Sequence, residues 1–501
     1  MKTSFNPLIY LLILGMFAAC TESKKEKQAE LEIPNSEPAF DETYRPQYHF
    51  TPPKSWMNDP NGMVYLDGEY HLFYQHNPDS NVWGPMHWGH AVSTDMLHWE
   101  HLPIALYPDS LGTIFSGSAV IDKGNTSGLG EDGKNPMIAI FTYHHPEKGQ
   151  TQGIAFSNDK GRTWTKYKNN PVLNNPGIPD FRDPKVSWYD QGNGTGKWIM
   201  TLAVKDKISF YSSPNLIDWE HESDFSPSWA SYGGVWECPD LFPLTDQEGH
   251  EKWVLLVSIN PGGPNGGSAT QYFTGNFDGG NFTADGKDVK WIDYGADNYA
   301  GVTWSDIPKT DGRRLFLGWM SNWLYANIVP TTIWRSAMTL PRKLELYHFE
   351  GKDLLASRPV MEVKTLYGNS EKIEAKSHLL RDELFHLDLK TANGNRASIK
   401  FSNDLGEEVL LHIEQNKVIF DRSKSGQVKF NEAFQAIHEA PLNGLEINDI
   451  DIYSDKSSLE FFFNDGELVL TEILFPNSPL LKLDLEGIEN NGEVHYLNST
   501  W

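Results

Sequence analysis

The sequence predicts an all-β protein, a five-bladed β-propeller followed by a C-terminal β-sandwich. Three observations carry this. A strand ending in Ser, a turn and then a Trp recur at blade-sized intervals; a polar junction ahead of an apolar run opens each unit; and beyond about Glu350 the texture changes to short strands with period-two alternation.

The first motif runs Ala91-Val92-Ser93-Thr94-Asp95 to Trp99, Ala155-Phe156-Ser157-Asn158-Asp159 to Trp164, and Phe210-Tyr211-Ser212-Ser213 to Trp219. A degenerate copy leads from Gln271-Tyr272-Phe273-Thr274 to Phe282. Spacings of about 55 to 65 residues fit one four-stranded blade with its loops. The unit openings are Asn58-Asp59-Pro60, Phe115-Ser116-Gly117, Asp183-Pro184, Glu237-Cys238-Pro239 and Asn298-Tyr299-Ala300-Gly301. In a propeller the first strand of every blade lines the central channel, so these five junctions converge on one funnel. They bring Asp59, Asp183 and Glu237 there from blades one, three and four.

The predicted propeller spans residues 45–350, with residues 351–365 as a linker that could be helical and residues 366–501 as the sandwich. Runs such as Arg396 to Phe401, Val409 to Ile413 and Leu459 to Phe463 supply its strands, and Asn464-Asp465-Gly466 is a hairpin signal. No chemistry clusters in this second domain, so its expected role is structural.

A chain of 501 residues exceeds what one core usually supports, in keeping with two domains. With 42 Lys and Arg against 67 Asp and Glu, the net charge of −25 argues against nucleic acid or an anionic membrane surface as partner, but not against neutral sugars. Seventeen Trp fill cores or offer flat faces to a ligand. Two cysteines, Cys20 and Cys238, exclude a disulfide framework in the mature domain. Met1-Lys2, an apolar run from Leu8 to Phe17 and then Ala18-Ala19-Cys20 form a secretory leader over residues 1–20. It resembles a bacterial lipoprotein signal in which Cys20 is lipidated, which predicts an envelope protein touching the membrane only through its anchor. Residues 21–44 read as a flexible tether.

Two carboxylates across a sugar are what glycoside cleavage needs, one protonated and one ionised. Arg182 beside Asp183 favours an ionised Asp183, and the apolar neighbours of Glu237 favour its acid form. This assigns Glu237 as acid/base, Asp59 as nucleophile and Asp183 as the group that holds sugar hydroxyls. Singly, each junction reads as a turn and Arg182–Asp183 as a structural pair; in phase with a blade repeat they read as a site. Cys238 has no partner pattern for a thiol mechanism, and His76, His87 and His144-His145 lack metal-ligand spacing.

These motifs resemble the glycoside hydrolases of family 32, the invertases, inulinases and levanases. The matching segments include Trp56 to Gly62, Phe181 to Val186 and Trp236 to Phe242, and the order and spacing agree. The resemblance implies a five-bladed propeller with a β-sandwich and a retaining mechanism through a covalent fructosyl intermediate on Asp59. It also makes Glu237 the acid/base and Asp183 the transition-state stabiliser. By the same matching, Asn58, Gln75, Trp83, Phe115, Ser116, Arg182, Tyr299 and Trp319 shape the subsite for the terminal fructose. No metal or organic cofactor is implied. The expected substrate is a fructan, levan or inulin, or else sucrose. Exo action is favoured over endo action, with Asn77 to Met86 and Asn260 to Ser268 as the loops that control it. Another five-bladed glycosidase and a non-catalytic, lipid-anchored glycan-binding protein are the competing readings.

Overall fold

The computed structural model describes residues 39–501. Cys20, the leader and residues 21–38 of the tether lie outside the described residues. The last tether residues are not free: Phe40 stacks on Trp501 at 4.4 Å, and Tyr44 is buried, its hydroxyl accepting from Gln427 at 2.8 Å. Large aromatic side chains with a surface to cover override the polar composition around them.

Five antiparallel units of four neighbouring strands follow one another along the chain, and three of them take on one further short strand. Their first strands are Ser55–Leu66, Thr113–Ile121, Phe181–Gly192, Val235–Thr245 and Tyr299–Thr303, the five openings read from sequence. Each touches the first strands of the neighbouring blades, and the fifth touches the first, so the ring closes. Trp334–Arg335, leaving blade five, pairs in parallel with Ser55 and Trp56 of blade one and fastens the seam.

The recurrent Ser and Asp are turn-builders. Ser93 Oγ accepts from the backbone N–H groups of Asp95 and Met96 at 3.1 and 2.8 Å, and Ser157 Oγ accepts from Asp159 and Gly161 at 3.3 and 2.8 Å. In the degenerate fourth copy Asp278 takes over, accepting from Gly280 and Asn281 at 3.0 and 2.8 Å. A side chain standing in for a backbone acceptor closes the turn between a blade's two outer strands, which is why the motif repeats.

The boundary of the second domain differs from the sequence reading. Lys352–Pro359, within the linker that the sequence predicts over residues 351–365, pairs along its whole length with Arg342–Phe349 as the outer strand of blade five. Charged residues at its ends hide a buried Leu355-Ala356-Ser357 centre. Only Met361–Leu366 is a short 3₁₀ connector. Two six-stranded sheets then form the sandwich. In the sheet open to water on one face the strands alternate, as in Ala397–Ser402 and Lys417–Lys424. Ser458–Phe463 and Leu468–Ile473 are buried on both faces, because their sheet also covers the propeller.

That interface is ionic at its centre. Arg342, with no exposed surface, donates to Asp293 at 3.0 Å, to Thr471 at 2.6 Å and to Glu460. Arg422 donates to Asp297 at 2.6 Å and to Tyr325 at 2.8 Å, and pairs with Glu472 at 3.1 Å. His49 sits between Asp455 at 2.8 Å and Glu460 at 2.7 Å. Breaking any of these pairs would leave a buried charge unmatched, so the network fixes how the domains dock.

Candidate active site

All five first strands break register at the same height. Asn58 and Asp59 oppose Gln75 alone, Phe115 and Ser116 oppose Thr142, Asp183 and Pro184 oppose Leu202, Cys238 and Pro239 oppose Val257, and Ala300 and Gly301 oppose Gly318. Each is a β-bulge with two residues against one, which turns a side chain out of the pleat and towards the axis. Pro184 and Pro239 fit because a bulge position asks for no ladder N–H. Asp183, Cys238 and Ala300 take φ of +63°, +44° and +54°, conformations held by the surrounding ring. Gly62 is required for packing: a Cβ there would stand 2.6 Å from the Phe73 ring and 2.8 Å from that of Trp88.

The bulges gather the three carboxylates. Asp59 Oδ2 accepts from the Ser116 hydroxyl at 2.6 Å and Oδ1 from the Asn58 amide at 2.9 Å, while Trp56 Nε1 fixes that amide by donating to Asn58 Oδ1 at 2.7 Å. Both oxygens of Asp59 are thus aimed. Burial, with the charge of Glu237 close by, raises its pKa, and the Ser116 and Asn58 hydrogen bonds pull the other way. Glu237 Oε1 accepts from Arg182 Nη2 at 2.8 Å and Nε at 3.2 Å, and Oε2 accepts from the Tyr299 hydroxyl. Asp59 and Glu237 keep some exposure to the funnel, whereas Asp183 is 5% exposed. Asp183 Oδ2 accepts from the Cys238 N–H at 3.0 Å.

Two local reasons given by the sequence are overturned. The Arg182 guanidinium forks onto Glu237 and its other nitrogen donates to Asp180, leaving 3.9 Å to Asp183. Burial dominates at Asp183 and pushes its pKa up to about 7, against the pull of Arg182. Glu237, expected in an apolar setting, receives a guanidinium and a phenol instead. Sequence adjacency misled because Arg182 is still in the ladder while Asp183 stands in the bulge, so the guanidinium reaches Glu237 at 2.8 Å and comes no nearer than 3.9 Å to Asp183.

The remaining predicted residues fall around this centre. Gln75 is buried and donates to Asn61 Oδ1 at 2.8 Å and to the Ile114 carbonyl at 3.1 Å. Phe115 stacks on His144 at 4.4 Å and meets the exposed Trp83 edge-on at 6.2 Å, forming an aromatic rim. Trp319 has no exposed surface, so it backs the wall and presents no face to the funnel. The half-buried Trp323, 4.9 Å from Trp319 and 5.8 Å from Trp56, holds the outer position. The sequence reading of the site leaves out Trp323, Asp180, Trp56 and His144; Trp56 lies inside the first motif and His144 in the pair set aside as a metal ligand, whereas Trp323 and Asp180 carry no local signal. The Cys238 thiol lies 3.6 Å from Asp59 and 3.7 Å from Asp183, and burial followed by the charges of Asp183 and Asp59 raises its pKa well above normal. It is a neutral contact of both carboxylates and no thiolate nucleophile.

The two proposed control loops are both tied to blade five. Asn81 donates to the Thr332 carbonyl at 2.7 Å and Trp83 N–H to Asn327 at 2.9 Å. The Trp323 N–H donates to Ser268 Oγ at 3.2 Å, and Asn265 bridges to the sandwich through the Glu439 carbonyl at 3.1 Å.

The N-terminal domain model of glycosyl hydrolases family 32 matches residues 49–359, and the C-terminal model of the same family matches residues 361–500. The chain belongs to glycoside hydrolase family 32. Among family 32 proteins it is 48% identical to a levanase of Bacillus subtilis over 92% of this chain and 72% of that protein. It is 37% identical to an extracellular exo-inulinase of Aspergillus awamori over 92% and 96% of the two chains. The crystal structure of exo-inulinase from that fungus superposes with a TM-score of 0.85 at 36% identity, covering 92% of this chain and all of that one. The family boundary between 359 and 361 coincides with the end of blade five.

Proposed function

We infer that the chain is a retaining glycosidase that cleaves β-fructofuranosidic bonds in fructans, in two displacements at the carboxylate ring. The observation that carries this is Asp59, half-open to the funnel with both oxygens oriented, in one ring with a Glu237 held by Arg182 and Tyr299. In the first step Asp59 attacks the anomeric carbon of the fructosyl unit as the protonated Glu237 gives its proton to the departing glycosidic oxygen. In the second, Glu237 takes a proton from water, which attacks the same carbon and frees Asp59. Asp183, at the bottom of the site, accepts hydroxyl hydrogens of the sugar and strengthens that grip as positive charge develops on the ring.

Levan and inulin are the substrates this reading favours, since a levanase and exo-inulinases stand among its relatives at 48% and 37–38% identity. Exo action is the reading favoured here for the two loops, each fixed to blade five by hydrogen bonds, and for a chain with exo-inulinases among its relatives. The leader sequence supports lipid attachment at Cys20 and a place at the bacterial cell envelope.

The test is the time course of products from levan, inulin and sucrose with protein lacking residues 1–20. Free fructose as the sole early product supports exo action, and a ladder of oligosaccharides replaces it with endo action. No cleavage of any of the three would overturn the reading.

A further inference from the structure

The catalytic ring occupies only one end of the channel. On the three first strands that carry them the carboxylates lie towards the start, at the third or fifth residue, and the same strands continue past them. Two residues beyond Asp183, Lys185 donates to the Thr303 carbonyl and pairs with Asp240 at 3.3 Å; Asp240 Oδ2 also accepts from the Thr303 N–H and hydroxyl at 2.6 and 2.8 Å. This cross-brace floors the catalytic funnel. Beyond it a second cavity of about 640 Å³ opens, lined by the far parts of the same strands, Ser187 to Asp190 and Leu241 to Pro243 among them. At about 3.3 Å per residue, Ser187 lies roughly 13 Å along the strand from Asp183.

Three features make this cavity a built site. Trp188 is 44% exposed and rigidly held: it meets Trp198 edge-on at 5.1 Å, and Gly196 lets it lie on the adjoining strand, where a Cβ would come within 2.5 Å of the indole. Arg314 lies over the Phe242 ring at 4.9 Å and, among the described residues, has no ion pair or side-chain hydrogen bond. Asp240 is 1% exposed, and among the described residues its Oδ1 has no hydrogen-bond partner. An unengaged guanidinium, a buried acceptor oxygen and an open aromatic face lie in one cavity. Its charge disfavours an anion: Lys123 is matched by Asp306 at 2.7 Å, Lys185 and Arg314 both feel Asp240, and Asp190 and Glu251 add two further acids to the lining. A neutral polyhydroxylated ring meets all three features, its C–H face on the indole and its hydroxyls between donor and acceptor.

We propose that this far end of the channel is a second carbohydrate-binding site, taking one or two fructosyl units of a fructan chain whose cleavage occurs at the other end. The choice of fructosyl units rests on the hydrolase reading above. Such a site holds polymer near the enzyme and raises the effective concentration of chain ends without touching the chemistry.

Titration calorimetry of the Asp59→Ala chain, whose turnover is lowered by about 10⁴-fold or more, with a β-2,1-linked fructo-tetrasaccharide decides it. Two sites per chain are expected, and adding Trp188→Ala or Arg314→Gln should remove the weaker one or loosen it by about threefold to tenfold. In the otherwise native chain, Trp188→Ala should leave kcat/KM on sucrose unchanged and lower it on levan. One site per chain, or two that ignore both substitutions, overturns the proposal while leaving levan hydrolysis intact. A Trp188-dependent site in a native chain that cleaves no fructan would sink the hydrolase reading and keep this one.

Discussion

Arg182 grips Glu237, donating to Oε1 from Nη2 at 2.8 Å and from Nε at 3.2 Å. The bond joins blade three to blade four across the funnel and aims a carboxyl group whose sequence neighbours give no sign of it. With the Tyr299 hydroxyl on the other oxygen, Glu237 is held from blades three and five together. Orientation of this kind is what turns a carboxyl group into a positioned acid.

Asp59→Ala should lower kcat by about 10⁴-fold or more, and Glu237→Gln by about 10²- to 10⁴-fold, with thermal midpoints close to the parent. In the parent, adding methanol to the reaction should yield methyl β-fructofuranoside, because the fructosyl group on Asp59 is released with net retention. Product NMR reads this directly; the α-anomer would exclude a covalent intermediate on Asp59.

Asp183→Asn should remove activity and stabilise the fold. A carboxyl raised from 3.8 to about 7 in the folded chain binds its proton more tightly there than in the unfolded chain, so the stability it contributes falls as pH rises from about 4 to 7. Asn carries no such penalty. Thermal melts should show a gain for the variant that grows between pH 4.5 and pH 8, on the order of a few kcal/mol at the upper end. An equal gain at both pH values would mean that the charge of Asp183 is not the cause.

Cys238 should resist iodoacetamide in the folded protein and react once it is unfolded, since burial and two carboxylates hold the thiol neutral. Cys238→Ala removes one weak donor beside Asp59 and Asp183, so kcat should fall by about tenfold or less. Mass spectrometry of alkylated protein and steady-state rates check the two halves; inactivation by alkylation of native protein would contradict the first.

His49, with its pKa raised to about 9 by Asp455 and Glu460 against its burial, stabilises the domain interface fully below pH 6.5 and loses that contribution as pH rises through 9. Glu460, lowered to about 2 by Arg342 and His49, contributes fully above pH 4.5 and loses this as pH falls through 2. Stability from this network should therefore be greatest between about pH 4.5 and 6.5. His49→Asn should lower the thermal midpoint most in that window and flatten its decline towards pH 9. A uniform drop at every pH would assign His49 a packing role alone.

The sequence by itself determined the blade count, the strand that opens each blade and the three acidic junctions. These rest on local chemistry: Ser and Asp closing the same turn, Pro and Gly where the ladder breaks, Trp at a fixed distance beyond. The Asn464-Asp465-Gly466 hairpin was legible for the same reason, its three residues taking φ of +49°, +57° and +85°. Only the tertiary structure decided what each carboxylate touches. Arg182 reaches Glu237 past its own neighbour, Trp323 joins the wall from a loop with no motif, and Lys352–Pro359 becomes a strand because blade five offers it an edge. Arg342 and Arg422 meet their acids more than a hundred residues away, at Glu460 and at Asp297. Pairings at such separations are set by how blades and sheets stack, and adjacent residues carry no record of them.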